Sequence, residues 1–223
     1  MIGHSGCGKT TTLRIISGLV RPTAGEAIVD GKSVTKPIDN VGIVFQTPLL
    51  LPWLNTLKNV LFPIELLGRD PRRYVTSARE LLKVVGLAAM EDLYPKELSG
   101  GMQQRVAIAR ALIHEPSVLL MDEPFGSLDE LTREEMALQL LEITERLKKT
   151  VVFVTHSIQE AVLLSDRVVV LSPRPCTVKA DLEISLPRPR SISLTTRPDY
   201  LQYCQALRAS LGLKVALPEK EAM

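Results

Sequence analysis

GHSGCGKT (residues 3–10) fits G-x-x-x-x-G-K-[ST], the spacing of a phosphate-cradling loop that joins a buried strand to a helix. Gly3, Gly6 and Gly8 permit backbone conformations and close approaches that a Cβ would block. Successive N–H groups can then point inward at phosphate oxygens, reinforced by the positive end of a helix starting near Lys9. In such a loop Lys9 sets its ammonium against the β- and γ-phosphates and Thr10 offers a hydroxyl to Mg²⁺. The candidate phosphate-binding run is therefore Gly3, His4, Ser5, Gly6, Cys7, Gly8, Lys9, Thr10 and Thr11, with Cys7 as a small filler and not a nucleophile. Only Met1 and Ile2 precede it, so no strand is expected to feed the loop.

Outward from the loop, helical and strand periods alternate, the pattern of a parallel α/β sheet. TTTLRIISGL (10–19) reads as a helix ended by Gly18, EAIVDGK (26–32) as a short strand and turn, and VGIVFQ (41–46) as a buried strand. From Thr56 to about His114 the pattern is helical. Strands return with VLLMD (118–122), TVVFVTH (150–156) and RVVVLS (167–172), separated by helices over 131–149 and 157–165. The proline-rich 173–191 reads as one strand with loops, and the segment from Asp199 as a final helix. The expectation is one domain over 1–223, a nucleotide-binding sheet interrupted by a helical insert at about 48–115.

Composition narrows the function classes. A formal net charge of +2 provides no basic field of the kind nucleic-acid binding needs. Cys7, Cys176 and Cys204 share no C-x-x-C spacing, which argues against a disulfide framework or a zinc site. No stretch approaches the roughly 18 uninterrupted apolar residues of a spanning helix. The most apolar run, PLLLPWL (48–54), is short and broken by Pro52. No charged region leads into an apolar stretch at the start, and the chain reads as soluble as written.

Two further constellations carry chemistry. SVLLMDEP (117–124) puts Asp122 at the carboxyl edge of a sheet, where ligands of open α/β folds bind. Asp122 could hold Mg²⁺ directly or through water, and Glu123 could polarise a water for attack on a γ-phosphate. In LSGGMQQRVAIARAL (98–112), Ser99 can cap a helix while Gly100 and Gly101 leave first-turn amides uncovered, a second anion site.

LSGGMQQR resembles the signature of the ATP-binding-cassette (ABC) ATPases, and other motifs of that family stand in the expected order. They are the phosphate loop, a Q-loop glutamine at Gln46, the signature, Asp122-Glu123, a D-loop SLD (127–129) and a switch histidine at His156. The resemblance implies a P-loop NTPase core with a helical insert, and hydrolysis of ATP with Mg²⁺. Gln46 would sense Mg²⁺ and the attacking water, Thr10 and Asp122 would also serve the metal, and Glu123 and His156 would be catalytic. Ser99, Gly100, Gly101 and Gln103 would meet ATP held by a second copy, with Asp129 at the same contact, in a head-to-tail homodimer.

The segment 44–68 and the tail 167–190 are similar to the nitrate, sulfonate and taurine type of importer ATPase. That type implies a separate transmembrane permease, an extracytoplasmic solute-binding protein acting indirectly, and a cytoplasmic place on the inner face of the membrane. No nucleic-acid partner is implied. PLLLPWL, with its tryptophan, suits a docking face for a permease helix. The family places strands and an adenine-stacking aromatic before the loop, so the expectation is an N-terminally truncated cassette fold. The alternatives are a soluble cassette ATPase of repair or translation, or a catalytically impaired remnant.

Overall fold

The computed structural model describes residues 1–126 and 128–213. Ser127, the first residue of the SLD run, lies outside the described residues. The described residues form two compact units, Met1–Gly8 with the chain from Thr155 onward, and Lys9–Val154.

The chain starts with β1 (Ile2–Gly3). Its partner in the first unit is the parallel strand over Arg167–Leu171, in the register Ile2 opposite Val170 and Gly3 opposite Leu171. Thr155 bridges Ile2 and donates its amide to the Met1 carbonyl at 3.2 Å. The expectation that no strand feeds the loop is thereby corrected. Ile2 finds pairing on both sides and is 1% exposed.

The second unit begins with α1 (Lys9–Ile16), followed by an antiparallel pair, β2 (Ile28–Val29) and β3 (Lys32–Ser33). Its main sheet is parallel. β4 (Val41–Val44) pairs with β5 (Val118–Asp122), and β5 pairs with β6 (Thr150–Val154). β5 is buried from Val118 through Met121, as a central parallel strand covered on both faces must be. The register sets Val44 against Met121 and Asp122 against Val154, so the three carboxyl ends share one edge. Residues just past those ends are thereby gathered, which is how open parallel sheets build sites.

Between β4 and β5 lie three helices, α2 (Thr56–Leu66), α3 (Val75–Val84) and α4 (Gly100–Leu112). Asn59 on α2 is fully buried and organises the preceding apolar run. Its Oδ1 accepts from the Leu51 amide at 2.8 Å, and its amide nitrogen is shared among the carbonyls of Leu51, Leu54 and Asn55. α5 (Glu130–Leu147) then connects β5 to β6.

In the first unit, α6 (Ile158–Leu164) precedes β7 (Arg167–Leu171), and β8 (Val178–Glu183) returns antiparallel to β7. The last element is α7 (Pro198–Leu211), whose Tyr200 hydroxyl donates to the Gln159 carbonyl at 3.1 Å. Among the described residues no helix is long and apolar enough to cross a membrane.

Arg190 locks this unit. Its side chain is fully buried, with Nη1 donating to the Leu163 and Ser165 carbonyls (3.1 and 2.8 Å) at the end of α6. Nη2 donates to Asp166 Oδ1 at 3.1 Å and to the Ile184 and Leu186 carbonyls at 3.3 Å. A cation here satisfies the orphan carbonyls of a helix end and meets the negative end of its dipole. Arg190→Met keeps an apolar stem but removes every donor, and each buried carbonyl left unpaired costs about 1–3 kcal/mol. The expected result is a loss of about 3 kcal/mol or more in denaturant unfolding. An unchanged midpoint and slope would show that these bonds contribute nothing net.

Candidate functional site

The sequence candidates fall into clusters, two in the larger unit and two in the smaller. The first surrounds Lys9. As the first residue of α1 it is 5% exposed, and its Nζ lies 3.6 Å from Oε1 of Glu123. A buried ammonium needs a counter-charge, and the carboxylate at the end of β5 supplies it. Glu123 itself has φ +44, a left-handed conformation that a non-glycine residue adopts at a cost. It is held there by donating its amide to Val154 O at 2.9 Å and accepting from the Gly126 amide at 3.0 Å.

Gln46 meets the same turn. A Cβ added at Gly126 would stand 3.1 Å from Gln46 Nε2 and 3.4 Å from the Glu123 carbonyl, so the glutamine packs where Gly126 leaves room. β4 ends at Val44, which leaves Gln46 two residues past the strand and not on it. Lys9, Glu123 and Gln46 thus belong to one corner of the unit, with Asp122 half-buried at the last position of β5.

The second cluster joins the signature to the start of α5. Ser99 caps α4, its hydroxyl accepting from the Met102 amide at 3.3 Å. Gly101 is buried against Thr132, whose Cγ2 would lie 2.9 Å from a Cβ at that position. Thr132 in turn donates its amide (3.0 Å) and its hydroxyl (2.8 Å) to Asp129, the N-cap of α5. Those bonds hold the Asp129 carboxyl below the usual carboxylate range, the Thr132 amide foremost. Gln103 turns inward, donating to the Pro95 carbonyl at 2.9 Å and to Leu98 O at 3.3 Å.

Sequence reasoning missed several supports. Gln104 is 1% exposed and donates to the Phe45 carbonyl at 3.2 Å, tying α4 to the residue before Gln46. Arg110, two turns along α4, donates to the Pro48 and Leu49 carbonyls (2.6 and 2.8 Å), and burial pulls its pKa down. Which glutamine of MQQR faces the sheet depends on the rotation of α4, which no local pattern reveals. Thr132 had a signal, since Asp-x-x-Thr is capping spacing.

In the smaller unit, the loop leaves β1 at Gly3. A Cβ there would lie 2.9 Å from Cys7 Sγ and 3.0 Å from the Leu171 carbonyl, so close packing demands glycine. Gly6 (φ +74) and Gly8 (φ +107) adopt left-handed backbone with open space around them, so conformation and not crowding selects glycine there. Alternating handedness of this kind turns successive amides inward to form an anion nest. Cys7 is buried, as a filler should be, while His4 and Ser5 are exposed.

His156 forms the fourth cluster, an exposed residue between the bridging Thr155 and the α6 cap Ser157. The Thr155 hydroxyl accepts from the Ser157 amide at 2.9 Å and donates to Glu160 Oε2 at 2.5 Å, which fixes the backbone on both sides of the histidine.

The donor set suits a hard cation. Thr10, Asp122 and Gln46 offer hydroxyl, carboxylate and amide oxygens, and among the described residues no group of three or more His, Cys, Asp or Glu side chains could cage a metal. Few protein oxygens, completed by substrate phosphates and water, fit Mg²⁺.

The ABC transporter family model matches residues 1–126. The chain is 52% identical over 203 residues to an uncharacterized ABC transporter ATP-binding protein of Methanocaldococcus jannaschii, covering 91% of this chain and 75% of that protein. It is 44% identical to the nitrate import ATP-binding protein of Synechocystis, covering 94% and 81%. To the aliphatic sulfonates import ATP-binding protein of Bacillus cereus it is 47% identical, covering 86% and 75%. Among solved structures, a dimeric bacterial ABC transporter cassette superposes with TM-score 0.71 at 36% identity. A dimeric post-hydrolysis cassette bound to ADP and Pi gives 0.68 at 34%, and each alignment covers 83% of this chain and 84% of the neighbour.

Proposed function

Because the chain belongs to the ABC transporter family and is one of its ATPase cassettes, we propose that it drives solute import through a separate permease, in the manner of the nitrate and sulfonate systems. The single observation that carries the catalytic part is the pairing of Lys9 with Glu123 at the carboxyl edge of the parallel sheet. It supports a site in which a cation for phosphate and a carboxylate for water occupy one corner.

In this reading the amides from Gly3 to Thr11, His4 and Ser5 included, receive the phosphates of ATP, and Lys9 leaves Glu123 for the β- and γ-oxygens. Glu123, relieved of its counter-charge, accepts a proton from the attacking water. Gln46 positions that water, and His156 steadies the γ-phosphate. Thr10, Asp122 and Gln46 would hold Mg²⁺, which would supply charge neutralisation of the phosphates when bound. Ser99, Gly100, Gly101 and Asp129 serve the nucleotide of a second copy, a reading supported by the dimeric state of the related solved cassettes. Gln103, with its amide nitrogen bonded within its own unit, supports that surface from behind. Residues 1–223 act as one catalytic domain with the helices of about 48–115 as its insert.

The apolar run beside Gln46 is the proposed permease contact, which would hold the chain at the inner face of the membrane, with any solute-binding protein engaged only through the permease. Trp53 is 69% exposed and Leu49 58%, on a backbone braced by Asn59 and Arg110. Large apolar side chains held out on a fixed backbone suit an interface core. Co-expression with permease subunits of nitrate and of sulfonate importers should yield a complex in detergent. Trp53→Ser should reduce the recovered complex about tenfold, the effect of one aromatic anchor, while keeping the melting temperature. Recovery of no complex with either permease class would contradict the importer reading.

A further inference from the structure

β1 and β7 are parallel neighbours with Gly3 opposite Leu171, so the segments leaving both strands emerge side by side at one edge. The phosphate loop leaves β1, and the turn SPRPCT (172–177) leaves β7. At that edge the Arg174 Nε donates to the Gly6 carbonyl at 2.8 Å. We propose that Arg174 is a positioning residue for the phosphate loop, holding the Gly6 carbonyl so that the Cys7 N–H points at the anion. The proposal rests on the reading of residues 3–10 as the ATP phosphate loop.

The carbonyl and the N–H of a trans peptide point in opposite directions, so fixing one fixes the other. At Gly6 such fixing matters, because glycine leaves the following peptide plane free to turn over. One orientation offers an N–H to phosphate, and the other offers a carbonyl oxygen that repels it. The Cys7 amide makes a long 3.3 Å bond to the His4 carbonyl, one that a phosphate oxygen can replace.

The turn that carries Arg174 is itself braced. The Ser172 amide donates to the Thr177 carbonyl at 2.9 Å, and the Ser172 hydroxyl accepts from the Thr177 amide at 2.9 Å. The same hydroxyl lies 2.9 Å from the Pro173 carbonyl and 3.2 Å from that of Pro175, either of which can accept its hydrogen bond. A long, exposed side chain thus departs from a stitched base, which reduces the entropy lost in holding one geometry.

The test is calorimetric titration of the full chain, Arg174→Ala and Arg174→Lys with ATP and with inorganic tripolyphosphate, alongside steady-state ATPase kinetics. Arg174→Ala should weaken both ligands by the same factor, about tenfold, the size of one charge-assisted hydrogen bond. KM should carry the change, with kcat within about twofold, because the loop binds ground state and transition state alike. Arg174→Lys, with one donor able to reach the carbonyl, should recover most of the loss. The factor should persist in about 0.5 M salt, where a purely long-range charge effect is screened. Unchanged affinities, a loss confined to ATP, or a factor that disappears in salt would each overturn the proposal. A wild-type chain binding neither ligand would overturn the phosphate-loop reading and this proposal with it, an outcome distinct from the other three.

Discussion

Lys9→Ala should weaken ATP binding by about 10²-fold or more, the scale of removing one partner from a desolvated charge pair. The side chain is almost fully buried and its ammonium already sits 3.6 Å from a carboxylate. Its charge therefore acts through a medium far less polarisable than water, where each phosphate contact counts for more. Removing it also leaves the Glu123 carboxylate facing the incoming phosphates without the compensating cation, so repulsion adds to lost attraction. Lys9→Arg should not restore binding, because a planar guanidinium does not fit the space of a compact ammonium. Equilibrium titration with ATP, paired with a thermal melt to confirm folding, reads the outcome. Near-native affinity in the alanine variant would remove Lys9 from the phosphate site.

The second large effect concerns Glu123. Glu123→Gln keeps the shape of the side chain and the backbone bonds to Val154 and Gly126, so the turn with φ +44 should survive. The amide cannot accept the proton of an attacking water, and turnover should fall about 10²- to 10⁴-fold, the usual contribution of a general base. ATP should still bind. With hydrolysis blocked, bound nucleotide persists and stabilises whichever assembly it bridges, so a dimer should accumulate in ATP and disperse in ADP. Sedimentation in each nucleotide reads the assembly, and phosphate release reads the rate. A variant that hydrolyses at nearly the native rate would assign the proton transfer to another group.

Much of this arrangement was legible because its determinants are local. VLLMD became β5 residue for residue, since a short apolar run ended by an acid has few other uses in an alternating chain. The glycines of the loop were readable for the same reason, with Gly6 and Gly8 in the left-handed conformations that the motif demands. β2 falls inside EAIVDGK, the stretch read as a short strand and turn, whereas its partner β3 and the two-residue β1 carry too little pattern to be read from periodicity. β1 exists only through non-local pairing with Val170, Leu171 and Thr155, and nothing in Met1-Ile2 announces those partners.

The supports of the site were hidden for a related reason. Gln104 reaches Phe45 across 59 residues, and Arg174 reaches Gly6 across 168, so each contact depends on how elements are laid side by side. Asn59 looked like one polar residue in the helical stretch TLKNVLF, yet it is fully buried because the turn before α2 exposes backbone groups that need a partner. Motif spacing is local, whereas the residues that hold the motifs in place follow from packing.

The most direct test of the central claim is phosphate release from ATP by the purified chain in Mg²⁺, run beside Glu123→Gln under single-turnover conditions. The account predicts release by the native chain, and retention of uncleaved ATP by the variant. Equal release by both, or release by neither while both bind ATP, would contradict it.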